Sequence, residues 1–276
     1  MLQLSDEEFQ LIRTLVYDNF GINLGEHKRN LVIARLQKVL LAGGFSSFRE
    51  YYEHVVRDPT AHSLLTLVDQ ISTNHTYFFR ENEHFDFLVE EVLPFIKNNK
   101  KRDAKTGKKK LRIWSAGCSS GEEPYTIAML LKEAIGNEPD IEAAILATDI
   151  SVSALETAKR GIYTREKVAH VPNYLRQRYF TPLKDGAWQV KEELKELVLF
   201  RRLNLMTPQF KFKGLFDVIF CRNVMIYFDK PTQRELIAKF HRCTEPGGYL
   251  LIGHSETIDR NSNLYKYIRP SIYQKI

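Results

Sequence analysis

Long hydrophobic runs are absent from this 276-residue sequence, and none approaches the roughly 20 apolar residues that a membrane-spanning helix needs. The first residues, MLQLSDEEFQLI, have no basic stretch followed by an apolar one, so we expect no secretory signal. Cysteine is scarce, with only Cys118, Cys221 and Cys243 in the sequence. Three is an odd number, and the spacing of these residues is not that of a zinc site. Together these absences predict a cytoplasmic protein with reduced thiols, no bound metal and no direct membrane insertion.

A strong excess of one charge is also lacking. The chain has 40 Lys and Arg against 34 Asp and Glu, a net charge of +6, which permits an acidic partner, of which nucleic acid is only one kind. Hydrophobic residues make up 43% of the chain and aromatic residues 12%, enough to bury a full core. The length fits one large domain or two.

Residues 1 to about 95 follow a helical periodicity that no strand signal interrupts. Ser5 is a candidate N-cap with Glu8 three residues later. The apolar face of this first helix is predicted to be Phe9, Ile12, Val16 and Phe20. A second helix is expected at 27–42, with Leu31, Ile33, Leu36, Val39 and Leu40 inside and Lys28, Arg29, Arg35 and Lys38 elsewhere. This half is predicted to be a small all-α unit.

The stretch KNNKKRDAKTGKKK, residues 97–110, carries eight Lys or Arg and one Asp. We interpret it as a solvated, mobile loop, with a docking site for acidic partners as the alternative. Beyond it, short apolar runs alternate with helical segments: LRIWSA, then 121–136; AAILAT, then 151–161; FDVIFC, then 229–244; and GYLLIG. Such alternation predicts an α/β fold with a parallel sheet, and an Asp-Gly turn at 185–186 predicts a short hairpin.

The segment WSAGCSSGEEPY joins the first of these strands to a helix and contains Gly117 and Gly121. Taken alone, two glycines there are equally typical of an ordinary tight turn. They do not form a GxGxxG motif, and Glu122 and Glu123 at the helix start would repel a pyrophosphate. These carboxylates suit a cofactor with a cationic ammonium and sulfonium, which favours S-adenosylmethionine over a dinucleotide.

Polar residues follow the other predicted strands. Asp149 suits the hydroxyls of an adenosyl ribose, although it could equally be the N-cap of the next helix. Asn204 could bind adenine or be an ordinary turn residue. Arg222 and Asn223 stand at the carboxyl end of FDVIFC, where open α/β sheets bind ligands, and Tyr227 follows closely.

A further polar cluster lies at 72–85, where Asn74, Thr76 and Arg80 alternate with aromatic residues. By itself this segment is typical of a helix–loop connection packed by aromatic rings. No Asn-Pro-Pro-Tyr run is present, which counts against an enzyme that methylates amines of nucleic acids.

In this order, STNHTYFFRE, WSAGCSSGEEPY, ATDIS, FCRNVMIYF and GHSE resemble the chemotaxis-receptor methyltransferase family over nearly the whole chain. The resemblance implies an all-α N-terminal domain and a Rossmann-like S-adenosylmethionine domain with a small antiparallel β-subdomain. It also implies that the enzyme esterifies glutamates on the cytoplasmic helical region of chemoreceptors. We therefore expect a receptor-recognition domain at 1–75, a linker helix and basic loop at 76–110, and a methyltransferase domain at 111–276 with its insert at about 178–200.

Carried over by position, the cofactor-binding residues are Asn74, Thr76, Arg80, Gly117, Glu123, Asp149, Asn204, Leu205, Arg222 and Asn223. Arg80 and Tyr227 match the pair that lines the methyl-transfer site. Arg35 and Lys38 match the receptor-binding positions of a basic helix. Some members carry a longer glycine-rich loop that docks a receptor's C-terminal pentapeptide, but the hairpin LKDGAW is short, so pentapeptide tethering is not carried over.

The implied reaction needs no general base, since a glutamate of pKa roughly 4.3 is already ionised at neutral pH. His75, His84, His170 and His254 are accordingly interpreted as structural or surface residues, with His254 near the pocket as a possibility left open. Two other functions stay open on the sequence: an RNA methyltransferase, and a protein that binds the cofactor or receptor without catalysis. No base-stacking platform on a basic groove is evident, so we expect no nucleic-acid partner.

Overall fold

The computed structural model describes residues 2–72, 74–136, 138–259 and 263–276. The N-terminal part is all helical within this range. Its elements are α1 (Asp6–Phe20), a 3₁₀ turn (Glu26–Lys28), α2 (Arg29–Gly43), α3 (Phe48–Arg57) and α4 (His62–Ile71). This confirms the prediction that the first part of the chain is an all-α unit.

Helix α1 begins at the predicted capping box. The hydroxyl of Ser5 accepts from the backbone N–H of Glu8 at 3.2 Å, and the carboxylate of Glu8 accepts from the N–H of Ser5 at 2.8 Å. Gly21 ends the helix in the left-handed region at φ +69°. The four predicted apolar positions are buried, whereas in α2 the buried residues are Val32, Leu36 and Leu40. Of the predicted inner face, Leu36 and Leu40 are therefore confirmed, and Ile33 and Val39 pack partly buried against the same cluster. Leu31 is instead directed to the pocket, and the buried Val32 was missed.

A long helix connects this unit to the sheet, in three consecutive segments: α5 (Glu83–Phe87), a π-helical turn (Leu88–Val92) and α6 (Leu93–Asn99). Its buried side chains share one hydrophobic cluster with the sheet, including Phe85, Leu88 and Ile113. The helix is thus part of the core that supports the sheet.

The two ends of the basic segment 97–110 belong to α6 and β1, and ion pairs connect it to neighbouring elements, while its mobility stays a prediction. Lys97 pairs with Glu138 at 2.8 Å, and Lys110 pairs with Asp103 at 3.0 Å. Lys100 pairs with Asp217, a buried residue of the sheet. The pairs of Lys97 and Lys100 connect the segment to the body of the protein, whereas the Lys110–Asp103 pair lies within it.

A seven-stranded sheet forms the centre of the second part, in the order β6-β2-β1-β7-β8-β10-β9. Its strands are β1 (Lys109–Ala116), β2 (Ile141–Asp149), β6 (Val198–Arg202), β7 (Phe216–Cys221), β8 (Thr244–Ile252), β9 (Tyr265–Arg269) and β10 (Ile272–Lys275). The first five strands in spatial order are parallel, and β10 pairs antiparallel with both β8 and β9. The α/β, Rossmann-like prediction is confirmed.

The crossover helices are α7 (Glu122–Ile135), α8 (Val152–Arg160) and α12 (Lys230–Cys243). Each begins and ends within one residue of the sequence prediction. The capping residues explain this agreement: Ser151 and Asp229 cap α8 and α12, and Gly121 starts α7 at φ +97°.

A separate three-stranded antiparallel sheet has the order β3-β5-β4. Its strands are β3 (Ile162–Tyr163), β4 (Phe180–Pro182) and β5 (Trp188–Val190), and the nearby helices are α9 (Arg165–Val168), α10 (Asn173–Tyr179) and α11 (Glu192–Lys195). The predicted Asp-Gly hairpin joins β4 to β5, with Gly186 at φ +82°. This sheet begins before the expected insert of 178–200, and β6, which falls partly inside that range, pairs with the main sheet.

Among the described residues, no single helix is long and apolar enough to cross a membrane. One bent pair, Glu26–Gly43 with Phe48–Arg57, passes by length and composition, with a bend of 74°. Val32, Leu36 and Phe48 of this pair are fully buried in the core of the helical unit, which accounts for its apolar composition.

Candidate active site

A pocket lies at the carboxyl ends of β1, β2 and β7, beneath the helical unit. The chain runs from β1 to β2 on one side and later returns to β7 on the other, so the sheet reverses its strand order beside β1. Open α/β sheets bind ligands at this kind of switch point. Gly117 follows β1, Asp149 ends β2, and Arg222 follows β7.

The structure brings all the predicted cofactor-binding and methyl-transfer residues to this one pocket. They are Asn74, Thr76, Arg80, Gly117, Glu123, Asp149, Asn204, Leu205, Arg222, Asn223 and Tyr227. They come from five distant stretches of sequence, so their convergence is a property of the fold. The two predicted receptor-binding residues, Arg35 and Lys38, do not line the pocket.

The turn after β1 needs glycine at both predicted positions. Gly117 has φ +87°, and a Cβ there would lie 2.3 Å from Cγ2 of Val224. Gly121 has φ +97°, and a Cβ there would lie 2.8 Å from the Cβ of Ala158. Only glycine adopts such a positive φ without strain and has no Cβ to collide with these neighbours. The backbone of this turn can therefore form one wall of the pocket.

Asp149 is held by the backbone. Its Oδ2 accepts from the N–H of Ser119 at 2.7 Å and its Oδ1 from the N–H of Ser151 at 2.9 Å. Burial raises the pKa of Asp149 against the effect of these bonds. The N-cap of α8 is Ser151, whose hydroxyl accepts from Ala154, so the alternative of Asp149 as cap is wrong. The buried hydroxyl of Ser119 has no hydrogen-bond partner among the described residues, which leaves a polar atom for a ligand.

The two glutamates at the start of α7 have different environments. Glu122 is fully buried away from the pocket, paired with Lys167 and bonded by the hydroxyl of Ser120 at 2.7 Å. Glu123 lines the pocket, and Arg222 donates to it at 2.9 Å. The sequence argument from two free carboxylates is therefore corrected: one is neutralised inside the protein, and the other faces the pocket as part of an ion pair.

Arg222 is clamped between two carboxylates. Besides Glu123, its Nη2 lies 3.1 Å from Oε2 of Glu81, and its guanidinium stands 5.2 Å from the ring centre of Phe85. Asn223, at φ +58°, donates to Oε1 of Glu81 at 3.1 Å. Burial opposes ionisation of Glu81, but the charge of Arg222 and the bond from Asn223 lower its pKa. Sequence reasoning assigned Glu81 no role, although this residue directly follows Arg80 in the motif.

Arg80 and Tyr227 reach the pocket from two distant segments, since Arg80 precedes β1 and Tyr227 follows β7. The Nη1 of Arg80 donates to the carbonyl of His75 at 2.8 Å, and its guanidinium lies 5.8 Å from the ring centre of Tyr77. The carbonyl of Tyr227 accepts from the N–H of Asn23 at 2.8 Å, which links this loop to the helical unit. Both side chains are only partly exposed.

The helical unit forms the roof of the pocket. Asn204 donates to the carbonyl of Asn19 at 2.7 Å and accepts from the N–H of Met206 at 3.0 Å, so part of its amide is committed within the protein. Lys28 and Leu31 also line the pocket. The sequence placed both on the second helix without a role in the site, and only the packing of the two parts reveals their position.

Arg35 faces inward. Its Nη1 donates to the carbonyls of Gln70 at 3.1 Å, Ile71 at 2.8 Å and Ser72 at 2.6 Å, at the end of α4. Lys38 is exposed. The guanidinium of Arg35 therefore stabilises a helix end, and receptor contact stays a prediction for both Arg35 and Lys38.

The histidines divide into buried and exposed ones. Burial, assisted by the charge of Arg222, lowers the pKa of His84 to about 3, so its imidazole is neutral. His254 is about half exposed and lies 3.8 Å from Glu83, and it is not among the residues that line the pocket. His75 does line it.

The sheet order and this pocket define a Rossmann-like enzyme with a helical roof over its cofactor site. The family model described as "CheR methyltransferase, SAM binding domain" matches residues 74–273, and the one described as "CheR methyltransferase, all-alpha domain" matches residues 7–72. The chain belongs to the CheR methyltransferase family. It is an S-adenosylmethionine-dependent methyltransferase.

Curated relatives match this chain over nearly its full length. A chemotaxis protein methyltransferase of Borreliella burgdorferi is 48% identical over 275 residues, covering 99% of this chain and 96% of the relative. Chemotaxis protein methyltransferase 2 of Pseudomonas aeruginosa is 39% identical, covering 97% and 92%. The chemotaxis protein methyltransferase of Escherichia coli is 36% identical, covering 99% and 92%.

Among solved structures, the glycopeptide N-methyltransferase MtfA complexed with S-adenosylmethionine has a TM-score of 0.36 at 15% identity, covering 71% of this chain and 60% of that one. A TM-score this low establishes no relationship in function.

Proposed function

We propose that the protein methylates glutamate side chains on the cytoplasmic helical region of chemoreceptors, giving glutamate 5-O-methyl esters in bacterial chemotactic adaptation. The observation that carries this proposal is the convergence of Arg80, Tyr227, Asp149 and Arg222 on one roofed pocket in a member of this family. The names of the relatives support the receptor as substrate. A cytoplasmic location follows from such a substrate.

The residues present suit the cofactor. The carboxylate of Asp149 and the unpartnered hydroxyl of Ser119 offer bonds for the ribose hydroxyls. The backbone beside Gly117 permits close approach, and Glu123 supplies negative charge for an ammonium group. Asn204 and Leu205 offer a polar and an apolar contact for adenine. Asn74 and Thr76 complete the wall on the side of the helical unit.

The bound cofactor supplies an electrophilic methyl group on a sulfonium, which a carboxylate accepts to leave S-adenosylhomocysteine. The chain must therefore orient a carboxylate and keep water out. Arg222 lies 3.1 Å from Glu81 and 2.9 Å from Glu123, whereas Arg80 has only a distant pair with Glu81 at 4.0 Å. We therefore assign orientation of the incoming carboxylate to Arg80, through charge-assisted hydrogen bonds. Tyr227 contacts the same site from the loop after β7. Alignment of a bound pair contributes roughly 7–11 kcal/mol to lowering such a barrier.

The substrate carboxylate is ionised at neutral pH, so no general base is assigned. His84 is buried and neutral, which suits a structural role. Lys28, at the roof, supplies positive charge on the side from which an acidic helix surface would approach. Charge of this kind steers association and fixes register more than it adds affinity.

Domain roles follow the same proposal: receptor recognition by 1–75, connection by 76–110 and methyl transfer by 111–276. The β4–β5 hairpin turns in a few residues around Asp185 and Gly186. We assign it no pentapeptide site, and receptors without a C-terminal pentapeptide are expected to be substrates.

The test is incubation with tritium-labelled S-adenosylmethionine and cytoplasmic receptor fragments. Base-labile label on receptor glutamates is expected, and label on added RNA instead would overturn the proposal.

Arg80→Ala should lower kcat/KM by at least about 100-fold, on the scale of losing one aligned charge-assisted bond. Arg160→Ala, on the exposed end of α8, is the matched control and should retain wild-type turnover. Wild-type turnover in Arg80→Ala would contradict the assigned role.

A further inference from the structure

Three potential metal ligands meet at the edge of the pocket wall, and a fourth carboxylate, that of Glu83, lies beside one of them. Glu81, Glu83 and His84 lie at the start of the connecting helix, and His254 lies in the loop after β8. One ligand atom from each of Glu81, His84 and His254 lies within 4.8 Å of the others. Nδ1 of His84 is 3.6 Å from Oε2 of Glu81, and Nε2 of His254 is 3.8 Å from Oε2 of Glu83.

His84 supplies a second, independent observation. Its exposed fraction is 0%, yet neither ring nitrogen has a hydrogen-bond partner among the residues that the structure describes. Buried polar side-chain atoms nearly always have a partner, so this one calls for an explanation. Both neighbours that its ring approaches, Glu81 and His254, are themselves groups that bind metal ions.

The spacing suits a small divalent cation. Zinc binds histidine nitrogen at about 2.0–2.1 Å and carboxylate oxygen at about 2.0–2.2 Å, so neighbouring ligand atoms in a tetrahedral site are about 3.4 Å apart. The separations of 3.6 Å between His84 and Glu81 and of 3.8 Å between His254 and Glu83 are close to this value. The ligand atoms of Glu81, His84 and His254 all lie within 4.8 Å of one another, so small side-chain adjustments would close the site. Two imidazoles with carboxylates are donors that zinc accepts readily.

We propose that Glu81, His84 and His254 form a binding site for Zn²⁺ or a chemically similar divalent cation, with Glu83 as the fourth ligand. The proposal goes beyond the methyl-transfer function and revises the sequence expectation of no metal. The Cys spacing that would signal a zinc site is indeed absent, but these ligands come from 81–84 and 254, a separation that no local motif reveals.

Binding of Zn²⁺ at this site would affect the cofactor pocket through Glu81. That carboxylate holds both Arg222 and Asn223, which line the pocket. A cation and the guanidinium of Arg222 compete for the same oxygen, so occupancy weakens the Glu81–Arg222 pair. Zinc is therefore expected to inhibit the enzyme by lowering cofactor affinity, and bound cofactor must lower zinc affinity by the same factor.

The test uses the full-length, tag-free protein, freed of metal with a chelator, and measures ZnCl₂ binding by calorimetry. One Zn²⁺ per chain is expected, and the Co²⁺ form should show the intense visible absorption of a four-coordinate site. His254→Ala is the chosen variant because this side chain is partly exposed and outside the pocket. It should weaken Zn²⁺ binding at least tenfold and keep wild-type turnover without zinc. Glu83→Gln, also exposed, should weaken binding in the same direction.

The matched control is His62→Ala, an exposed histidine at the start of α4, which should bind Zn²⁺ as the wild type does. S-adenosylhomocysteine affinity, measured separately with and without zinc, should fall in the wild type and stay constant in His254→Ala. Absence of stoichiometric binding, or equal binding by His254→Ala and the wild type, overturns the proposal. Neither result touches the methyl-transfer proposal, which is tested without zinc.

Discussion

The Nη1 of Arg35 lies 2.8 Å from the carbonyl oxygen of Ile71, so a side chain of α2 closes the end of α4. The last carbonyls of a helix have no partner within the helix, and a cation there also interacts favourably with the helix dipole. Ile71 and Ser72, whose carbonyls Arg35 binds, line the cofactor pocket. A residue outside the pocket thereby fixes part of its roof.

Replacing Arg35 by Ala should lower the free energy of unfolding by about 2 kcal/mol, because hydrogen bonds from a charged group contribute roughly 1.5–3 kcal/mol each time one is lost. Urea unfolding at pH 7 measures this change. Lys38→Ala, one turn further along α2 and exposed, is the control and should stay within about 0.5 kcal/mol of the wild type. Equal stability of the two variants would contradict the structural role of Arg35.

Receptor binding is better tested at Lys38. Lys38→Glu should raise KM for the receptor several-fold, since an exposed basic residue that steers an acidic partner is replaced by a repelling charge. Its affinity for S-adenosylhomocysteine and its stability should not change. The effect should also shrink as salt is added, because exposed charges are screened.

Lys105→Glu makes the same charge change near the amino end of β1, the strand end opposite Gly117 and the pocket. This control should leave KM unchanged. Equal losses in both variants would indicate a general effect of net charge and would remove Lys38 from the receptor surface.

The elements that carry strong local signals were predictable. The three crossover helices start at capping residues and end within one residue of their predicted bounds, because caps and apolar periodicity are encoded locally. Strands β9 and β10 were missed, and the expected insert of about 178–200 included the first residues of β6, which pairs with the main sheet. Their short apolar runs specify a strand but not its neighbours, which the whole sheet decides.

The resemblance predicted which residues meet in the pocket, but it did not predict the ion pairs among them. Glu122 and Glu123 look equivalent in sequence, yet Lys167 neutralises the first and Arg222 pairs with the second. The direction in which Arg35 points was equally invisible, because its partners are backbone atoms some 35 residues away in the chain. Periodicity defines a face of a helix, whereas the partner of that face depends on tertiary packing.

The basic segment gives a stability prediction. Lys100→Ala should lower the free energy of unfolding by about 1–3 kcal/mol, because among the described residues it leaves the buried carboxylate of Asp217 with the N–H of Arg112, at 2.9 Å, as its remaining partner. Lys101→Ala, at the exposed neighbouring position, should have almost no effect. Thermal unfolding of the two variants compares them directly. A freely mobile segment would instead give the same small change for both.

The turn after β1 gives the sharpest test of the cofactor site. Gly117→Ala adds a Cβ that would lie 2.3 Å from Val224, which also lines the pocket, in a backbone at φ +87°. Two costs are expected: backbone strain of about 1–2 kcal/mol, and displacement of the pocket wall. The second should weaken binding of S-adenosylhomocysteine at least tenfold in calorimetry, which corresponds to about 1.4 kcal/mol.

Gly186→Ala separates these two costs. Gly186 has a similar φ of +82°, but an added Cβ meets nothing within 4 Å. This variant should therefore lose a similar amount of stability from backbone strain and bind S-adenosylhomocysteine as the wild type does. If Gly117→Ala lost stability but kept wild-type affinity, its backbone would be needed only for the turn, and the assignment of this segment to the cofactor site would be wrong.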